Sequence, residues 1–391
     1  MYNIFCPDIL FTEQCNLRCT YCFESKTKMR MDKDKLISYL NERTNVSYFP
    51  FGGEPMLEFD TLKASIVAVQ NMNIPDRRKN KLYNSMQKII TNGTLIEQHL
   101  EESSKYGLSF QISMDGPKHI HDRNRVFADG KTGSYDIVLR NIDAIETFNV
   151  NLKKERDEYI LLHPNEEIVF DKKIISWYIH GVVSQDMIKD IFEISKWHFE
   201  FILKYQGLEK AIDHLGSNCY QIIFEESYID KDVDDLINGV AQFCDWIWGL
   251  DYSIKIKQKL IHSFLTRRGG VCSLGTTLAA IDTDFNIYPC HRLASGLERE
   301  RFCLGNVYHP REFKNFQIYN QSAHQRYRSK ESYSSHVDVN FDNDIHWFMW
   351  CPATNFEETK SIYYQNPRYN LMHYELNRFI KQLFKKYKIR R

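Results

Sequence analysis

Apolar and polar residues in the first part of the chain follow a repeated strand-then-helix pattern. Short apolar runs predict strands at 8–12, 46–51, 88–91 and 108–114, and a helical apolar period predicts helices at 33–43, 59–72 and 97–105. Three strands end in turns with glycine and a polar residue: Gly52-Gly53-Glu54-Pro55, Asn92-Gly93-Thr94 and Asp115-Gly116-Pro117. Because parallel barrels carry functional loops at the carboxyl ends of their strands, the pattern predicts an α/β barrel with one active face.

The pattern changes along the rest of the chain. A charged insertion at about 150–171 predicts an exposed excursion, and strands at 174–183 and 219–225 alternate with helices at 185–205 and 232–248. We therefore assign the barrel to residues 1–252. Residues 253–360 carry cysteines on short strands and loops, so bound metal is a plausible source of order in this second domain. Residues 361–391 predict a C-terminal amphipathic helix at about 371–387.

Composition excludes several classes of partner. The formal net charge is +0, which gives no electrostatic reason to expect nucleic acid or an anionic membrane. No apolar run is long enough to span a bilayer, and the first residues do not have the pattern of a signal peptide. The 10 cysteines are clustered, which favours metal binding in a reducing compartment over a secreted disulfide scaffold. We expect a cytoplasmic protein.

The first cysteine group has the spacing C-x3-C-x2-C, at Cys15, Cys19 and Cys22. Three thiolates from one loop can bind three irons of a cubane and leave the fourth iron without a protein ligand. A zinc loop that takes a remote fourth ligand is the alternative. The spacing therefore predicts a metal site, and an iron–sulfur cluster is the favoured interpretation.

The run C-x3-C-x-aromatic-C is similar to the signature of the radical S-adenosylmethionine (SAM) enzymes, and Gly52-Gly53-Glu54-Pro55 resembles their GGEP element. This resemblance implies a partial (β/α)6 TIM-type barrel and a [4Fe–4S] cluster whose open iron is chelated by SAM. It also implies that Gly52, Gly53 and Glu54 receive the ammonium group of SAM. In such enzymes the reduced cluster cleaves SAM to a 5′-deoxyadenosyl radical, which removes hydrogen from the substrate.

Three further runs resemble the segment S-x-D-G-P, H-D-x-x-R, G-S-[FY] of the peptide- and protein-modifying members. They begin at Ser113, His121 and Gly133. By this resemblance Ser113 and Arg125 hold the SAM carboxylate, since a guanidinium offers a planar pair of donors. Asp115 is then the candidate catalytic residue, near the ribose or the substrate. Tyr21 is expected beside the adenine, and Asn92 is a further candidate contact to the nucleoside.

The second cysteine group is similar to the opening of a C-terminal SPASM or twitch extension. Its hallmark is a β-hairpin with Tyr-Pro-Cys on the returning strand. The resemblance implies four thiol ligands: Cys272, Cys290, Cys303 and Cys351. The full SPASM pattern has about seven cysteines for two clusters, so we expect one auxiliary [4Fe–4S] cluster here. Cys303 also fits a strand core, and structural zinc is the alternative for the whole group.

The resemblance implies an oxidoreductase-type maturase acting on a ribosomal peptide or a protein, with a flavodoxin- or ferredoxin-type electron donor. Crosslinking (thioether, carbon–carbon or ether), epimerisation and oxidation are the leading reactions. Formylglycine formation by a sulfatase-maturase-like enzyme, a small-molecule substrate and a non-catalytic electron carrier are the alternatives. Because the cysteine loop begins at Cys15, we expect the precursor to be recognised by the insertion, the C-terminal helix or a separate protein.

Overall fold

The computed structural model describes residues 6–43, 47–164, 170–217, 219–223, 228–266, 278–296, 299–309, 353 and 367–389. Its strands are β1 Cys6–Thr12, β2 Phe49–Gly52, β3 Lys88–Thr91, β4 Ser109–Ser113, β5 Ser176–Val183, β6 Tyr220–Ile222, β7 Leu278–Ile281, β8 Asn286–Tyr288 and β9 Gly305–Asn306. Its helices are α1 Lys33–Glu42, α2 Phe59–Gln70, α3 Asp76–Met86, α4 Leu100–Tyr106, α5 Lys118–Asn124, α6 Tyr135–Leu162, α7 Ile191–Gln206, α8 Leu208–Gly216, α9 Asp230–Gly249, α10 Ile254–Leu265, α11 Arg299–Phe302 and α12 Pro367–Lys386.

Parallel pairing with intervening helices confirms the predicted α/β class. The pairs β1–β2, β3–β4 and β5–β6 are parallel, and each pair is joined through at least one helix. The described residues fall into two compact units, one within 1–113, 122–179 and 273–318 and the other within 114–121, 180–272 and 319–391. Both units are therefore built from separate stretches of sequence, and the domain boundaries at 252 and 360 stay predictions.

The first unit contains a five-stranded sheet in the order β2-β1-β7-β8-β9. Its core consists of apolar strand residues such as Ile9, Leu10 and Phe11, which are fully buried. The predicted hairpin is confirmed, because β7 and β8 pair antiparallel with Ala280 opposite Tyr288. β7 also pairs parallel with β1, so the hairpin continues the sheet that carries the first cysteine loop.

The second unit contains the β5–β6 pairing, with Gly181 opposite Tyr220, and a group of packed helices. α7 packs against α8 and α9, α10 packs against α8, and α12 packs against α9. Phe199, Phe243 and Phe264 are buried in this unit. A close approach makes one glycine necessary, since a Cβ on Gly239 would lie 2.0 Å from the side chain of Ile191. The predicted C-terminal helix is present as α12.

The charged insertion is helical over most of its length. Residues 150–162 form the last part of α6, which is 28 residues long. Ion pairing between Lys154 and Glu158, one helical turn apart, favours this conformation. The segment is exposed as expected, but it continues the barrel helix up to Leu162. Residues 165–169 lie outside the described part of the chain.

Several elements were absent from the sequence prediction. α3, α8 and α10 have mostly polar or mixed sequences, and α5 has only seven residues. The predicted helix at 97–105 is a 3-10 turn over Ile96–His99 followed by α4. Among the described residues, no helix is both long and apolar enough to cross a membrane.

Candidate functional site

The first cysteine loop follows β1 directly and is held by backbone contacts to the end of β2. The amide N–H of Gly53 donates to the carbonyl of Thr12 at 2.8 Å, and that of Glu54 donates to Gln14 at 2.8 Å. A Cβ on Gly52 would lie 2.3 Å from the Thr12 oxygen, and Gly52 has φ +137°. The glycines at the carboxyl end of β2 are therefore required because this strand end touches the chain just before Cys15.

Gly53 is constrained in the same way. A Cβ there would lie 2.2 Å from the carbonyl oxygen of Gln14. The predicted motif thus has a structural reason that the sequence does not show: two glycines leave room for the backbone of the cysteine loop. The contact of Gly52, Gly53 and Glu54 with SAM stays a prediction.

Glu54 lies fully buried between two strand ends. Its Oε1 accepts hydrogen bonds from the Met56 amide at 3.0 Å and the Thr91 hydroxyl at 2.8 Å, and its Oε2 accepts from the Asn92 amide at 2.7 Å. Burial raises the pKa of Glu54 to about 7, although these three donors favour the charged form. The carboxylate therefore joins the turn after β2 to the end of β3.

The sulfur of Cys15 accepts two N–H donors. The amide of Leu17 lies 3.4 Å from Cys15 Sγ, and the side-chain amide of Asn92 lies 3.8 Å away. Burial, and next the charge of Glu54, raise the pKa of the Cys15 thiol to about 12. A bare thiolate is thus unfavourable at this position, whereas a thiolate bound to a cation would be stabilised.

Cys19 receives a donor from a different part of the chain. Arg125 Nη1 lies 3.9 Å from Cys19 Sγ, and its guanidinium carbon lies 5.5 Å from the centre of the Tyr21 ring. Antiparallel backbone contacts bring this arginine close, because Arg18 N–H donates to the Val126 carbonyl at 2.7 Å. The structure thus brings the predicted residues Cys19, Tyr21 and Arg125 together.

The motif around Arg125 is also explained by contacts. Ser134 donates to the Arg125 carbonyl through both its amide, at 3.1 Å, and its hydroxyl, at 2.9 Å. The Asp122 carboxylate accepts from the Tyr135 amide at 2.8 Å. A Cβ on Gly133 would lie 2.0 Å from the Asp122 carboxyl carbon. The H-D-x-x-R and G-S-Y runs therefore pack against each other, and these contacts hold the backbone of Arg125 next to the cysteine loop.

Ser113 and Asp115 are placed by the end of β4. Ser113 is its last residue and is half-buried. Asp115 belongs to the second unit, where it is fully buried and its Oδ1 accepts from the Val182 amide at 2.9 Å. Its backbone amide donates to His121 Nδ1 at 3.4 Å. The roles predicted for Ser113 and Asp115 stay predictions.

The donor set of the loop fits an iron–sulfur cluster. Iron-bound thiolates accept N–H hydrogen bonds, and the sulfurs of Cys15 and Cys19 have N–H donors from three residues. Within the part of the chain that the structure describes, no three cysteine, histidine or acidic side chains converge where they could hold a single metal ion. A cubane takes one thiolate on each of three irons, so its three thiolates do not need to converge on a single metal ion.

The second cysteine region is only partly described. Cys272 and Cys351, both predicted ligands, lie outside the described residues. Cys290 is buried at the start of a 3-10 turn, and Cys303 Sγ lies 3.7 Å from the Gly305 carbonyl, to which it donates. The ligand set of the auxiliary site therefore stays a prediction.

Charged contacts that the sequence did not indicate join the two cysteine regions. His291 Nδ1 lies 2.7 Å from Asp8 Oδ2, and its ring stacks on Phe51 with centroids 4.4 Å apart. Arg299 Nη1 donates to Glu13 Oε1 at 2.7 Å. These pairs span more than 280 residues, and no local pattern in a single sequence indicates such partners.

No family model matches the chain. The chain is 25% identical over 312 residues to a cysteine-type anaerobic sulfatase-maturating enzyme of Clostridium perfringens (strain ATCC 13124), covering 75% of this chain and 74% of that protein. It is 27% identical over 303 residues to the corresponding enzyme of Clostridium novyi (strain NT), covering 71% of each. A probable GTP 3′,8-cyclase of Methanocella arvoryzae is 26% identical over 216 residues, covering 52% of this chain and 62% of that protein.

Solved structures show the same fold. Histidine-tagged anSMEcpe with bound AdoMet matches with a TM-score of 0.62 at 18% identity, covering 98% of this chain and 94% of that one. Native anSMEcpe with bound AdoMet and Cp18Cys peptide matches with a TM-score of 0.58 at 18% identity, covering 98% of both. This likeness confirms the predicted partial-barrel fold. The sequence relatives and the motifs indicate that the chain is a radical SAM enzyme similar to the anaerobic sulfatase-maturating enzymes.

Proposed function

We propose that this radical SAM enzyme is a maturase that modifies a side chain or α-carbon of a peptide or protein. The observation that carries the proposal is the pair of half-buried cysteines, Cys15 and Cys19, whose sulfurs accept N–H donors beside the two-glycine turn. A bound, reduced [4Fe–4S] cluster with SAM supplies a 5′-deoxyadenosyl radical, which removes a hydrogen atom from the substrate.

The chain's own residues bind and orient in this proposal. Cys15, Cys19 and Cys22 hold the cluster, and the turn at 52–54 receives the SAM ammonium group through its backbone and the Glu54 carboxylate. Arg125 supplies the positive charge for the SAM carboxylate, because Ser134 holds its backbone carbonyl and its guanidinium already lies at Cys19 and the Tyr21 ring. Ser113 supports the same carboxylate from the end of β4.

Asp115 is the proposed catalytic residue, and burial limits what it can do. Its Oδ1 accepts from the backbone of Val182, so the carboxylate has a fixed direction. A fixed carboxylate suits binding of a ribose hydroxyl or a substrate donor. Tyr21 is proposed beside the adenine.

Formylglycine formation from a cysteine is the first reaction to test. Its support is the similarity to cysteine-type sulfatase-maturating enzymes over 75% of the chain. A crosslink, epimer or other oxidation of a ribosomal peptide is the second candidate. The observation that favours it is the cysteine set, since only Cys272, Cys290, Cys303 and Cys351 follow residue 269 and these suffice for one auxiliary cluster.

One experiment separates these reactions. The protein is reconstituted without air with iron and sulfide, reduced with dithionite and supplied with SAM and a sulfatase-derived cysteine peptide. 5′-Deoxyadenosine together with a peptide carrying the cysteine-to-formylglycine mass change supports the first reaction. Deoxyadenosine without peptide change favours another substrate, and a fully loaded protein that forms no deoxyadenosine contradicts the proposal.

We also propose an electron donor and a cellular compartment for this activity. A flavodoxin- or ferredoxin-type protein supplies single electrons, and the enzyme works in the cytoplasm, where thiols stay reduced. Incubation with reduced flavodoxin in place of dithionite tests the donor, with deoxyadenosine as the readout. No deoxyadenosine with flavodoxin or ferredoxin, alongside full dithionite activity, contradicts this part.

A further inference from the structure

Three polar side chains form a closed ring of hydrogen bonds beside Cys15. Asn92 Nδ2 donates to Asn16 Oδ1 at 2.7 Å, Asn16 Nδ2 donates to Thr94 Oγ1 at 2.8 Å, and Thr94 Oγ1 donates to Asn92 Oδ1 at 2.7 Å. Each member donates to the next in the same direction. The ring joins the residue after Cys15 to the turn that follows β3.

Asn92 makes every hydrogen bond that its amide group can make. Its oxygen accepts from the Thr94 hydroxyl and from the Thr94 backbone amide at 3.0 Å. Its nitrogen has two hydrogens, one for Asn16 Oδ1 and one for Cys15 Sγ. The orientation of the amide is fixed, because a flipped group would place its NH2 against the Thr94 N–H.

The backbone of Asn92 and Gly93, which carries this ring, is itself held by hydrogen bonds. The Asn92 backbone amide is bound by the buried Glu54 carboxylate, and the Gly93 carbonyl accepts from Asn141 Nδ2 at 2.8 Å. Asn92 is only 8% exposed. A donor held this way stays aimed at one sulfur, and donors held near a cluster sulfur set its reduction potential.

We propose that Asn92 is a positioning residue that donates a hydrogen bond to the Cys15 sulfur and raises the reduction potential of the cluster bound there. The inference rests on the proposed function, since it assumes the cluster. It assigns Asn92 to the sulfur and leaves its side chain no free donor or acceptor for the nucleoside. A hydrogen bond to sulfur stabilises the reduced, more negative cluster, so its loss makes reduction harder.

The test is an EPR-monitored redox titration of the reconstituted full chain without SAM. The signal that disappears in Cys19→Ala marks the amino-terminal cluster. Asn92→Ser removes the donor without adding charge, and we expect its midpoint potential to move to a more negative value. The matched control is Asn141→Ala, which loosens the same turn by removing the bonds to Gly93 and Glu97 and leaves the sulfur donor in place.

A negative shift in Asn92→Ser that Asn141→Ala does not show supports the proposal, even if both variants unfold at lower temperature. An unchanged potential in Asn92→Ser, or equal shifts in both variants, overturns it. If Asn92→Ser does not fold, Asn92→Gln displaces the donor while keeping the amide, and the same shift is expected. A wild-type cluster that never cleaves SAM contradicts the proposed function, while the potentials still decide the role of Asn92.

Discussion

The two cysteine regions of the first unit are held in opposite ways. The loop at Cys15 depends on remote residues, since Asn92 and Arg125 reach its sulfurs from 77 and 106 positions away. The hairpin before Cys290 depends on its own turn, where Asp282 accepts from the amides of Asp284 and Asn286 at 2.9 and 2.8 Å. The loop therefore depends on remote residues, whereas the turn of the hairpin is closed by residues 282–286 and its strands pair with β1 and β9.

The cysteine sulfurs of the two regions also differ, in the hydrogen bonds that they make. Cys15 and Cys19 accept hydrogen bonds from nitrogen, as metal-bound thiolates do, whereas Cys303 donates to a carbonyl, as a protonated thiol does. In the first region the fold itself thus supplies N–H donors to the sulfurs. Ligation by Cys303 requires its sulfur to turn away from Gly305 and lose its proton.

The largest expected effect comes from removing one ligand in each region. Cys19→Ala should abolish deoxyadenosine formation, because an absent thiolate leaves the cluster with too few protein ligands. Cys290→Ala should retain part of the SAM cleavage and lose modified peptide. Both are measured on reconstituted protein by chromatography of deoxyadenosine and mass spectrometry of peptide. Full product formation by Cys290→Ala contradicts a functional auxiliary site.

Gly53→Ala should have the next largest effect, and we expect it to disturb the loop at Cys15 and not the hairpin. The added Cβ meets the backbone oxygen of Gln14 at 2.2 Å, so the chain before Cys15 must move. We expect a loss of about 2 to 3 kcal/mol in the free energy of unfolding and reduced iron uptake. Gly249→Ala is the control, because nothing lies within 4 Å of its added Cβ. Equal unfolding curves for Gly53→Ala and wild type would show that the contact is not essential.

The pair Arg299–Glu13 joins the two regions, so Arg299→Met should weaken both. The Glu13 side chain is 2% exposed and that of Arg299 is 30% exposed. Loss of the cation leaves a buried carboxylate without its ion-pair partner, and partial exposure of Arg299 reduces the expected cost to about 2 kcal/mol. Arg140→Met, in an exposed pair with Glu97, should cost less than about 1 kcal/mol. Urea unfolding of both variants measures the two losses in free energy of unfolding. Similar losses would contradict a structural role of the Arg299–Glu13 pair in joining the two cysteine regions.

The difference between local and remote support explains what the sequence could predict. The strand ends at Thr12, Gly52 and Thr91 follow from period, glycines and turn residues, and the structure contains them. The hairpin, which the structure also contains, was implied by the resemblance to a SPASM or twitch extension. The ring of Asn16, Asn92 and Thr94 does not follow, because hydrogen-bond partners 76 or more positions apart leave no pattern in one sequence. The long helix α6 was not predicted at all, and its part beyond residue 149 was interpreted as an exposed excursion because its charged residues resemble a loop, although they favour a helix through their spacing.

The smallest effect is expected from Asp282→Asn, which tests whether the hairpin is a local structure. Burial raises the pKa of Asp282 above its usual range, so its stabilisation is complete below about pH 4 and is lost as pH rises through the folded-state pKa. Asparagine has no such loss. The free energy of unfolding of the variant should therefore rise relative to that of wild type when urea unfolding is compared at about pH 4 and about pH 7. Asp284→Asn, at an exposed position in the same turn, is the control in urea unfolding at the two pH values. If the free energy of unfolding changes with pH in the same way in both variants, the charge of Asp282 does not act through its hydrogen bonds in the turn. The contrast between a locally held hairpin and a remotely held loop would then be wrong.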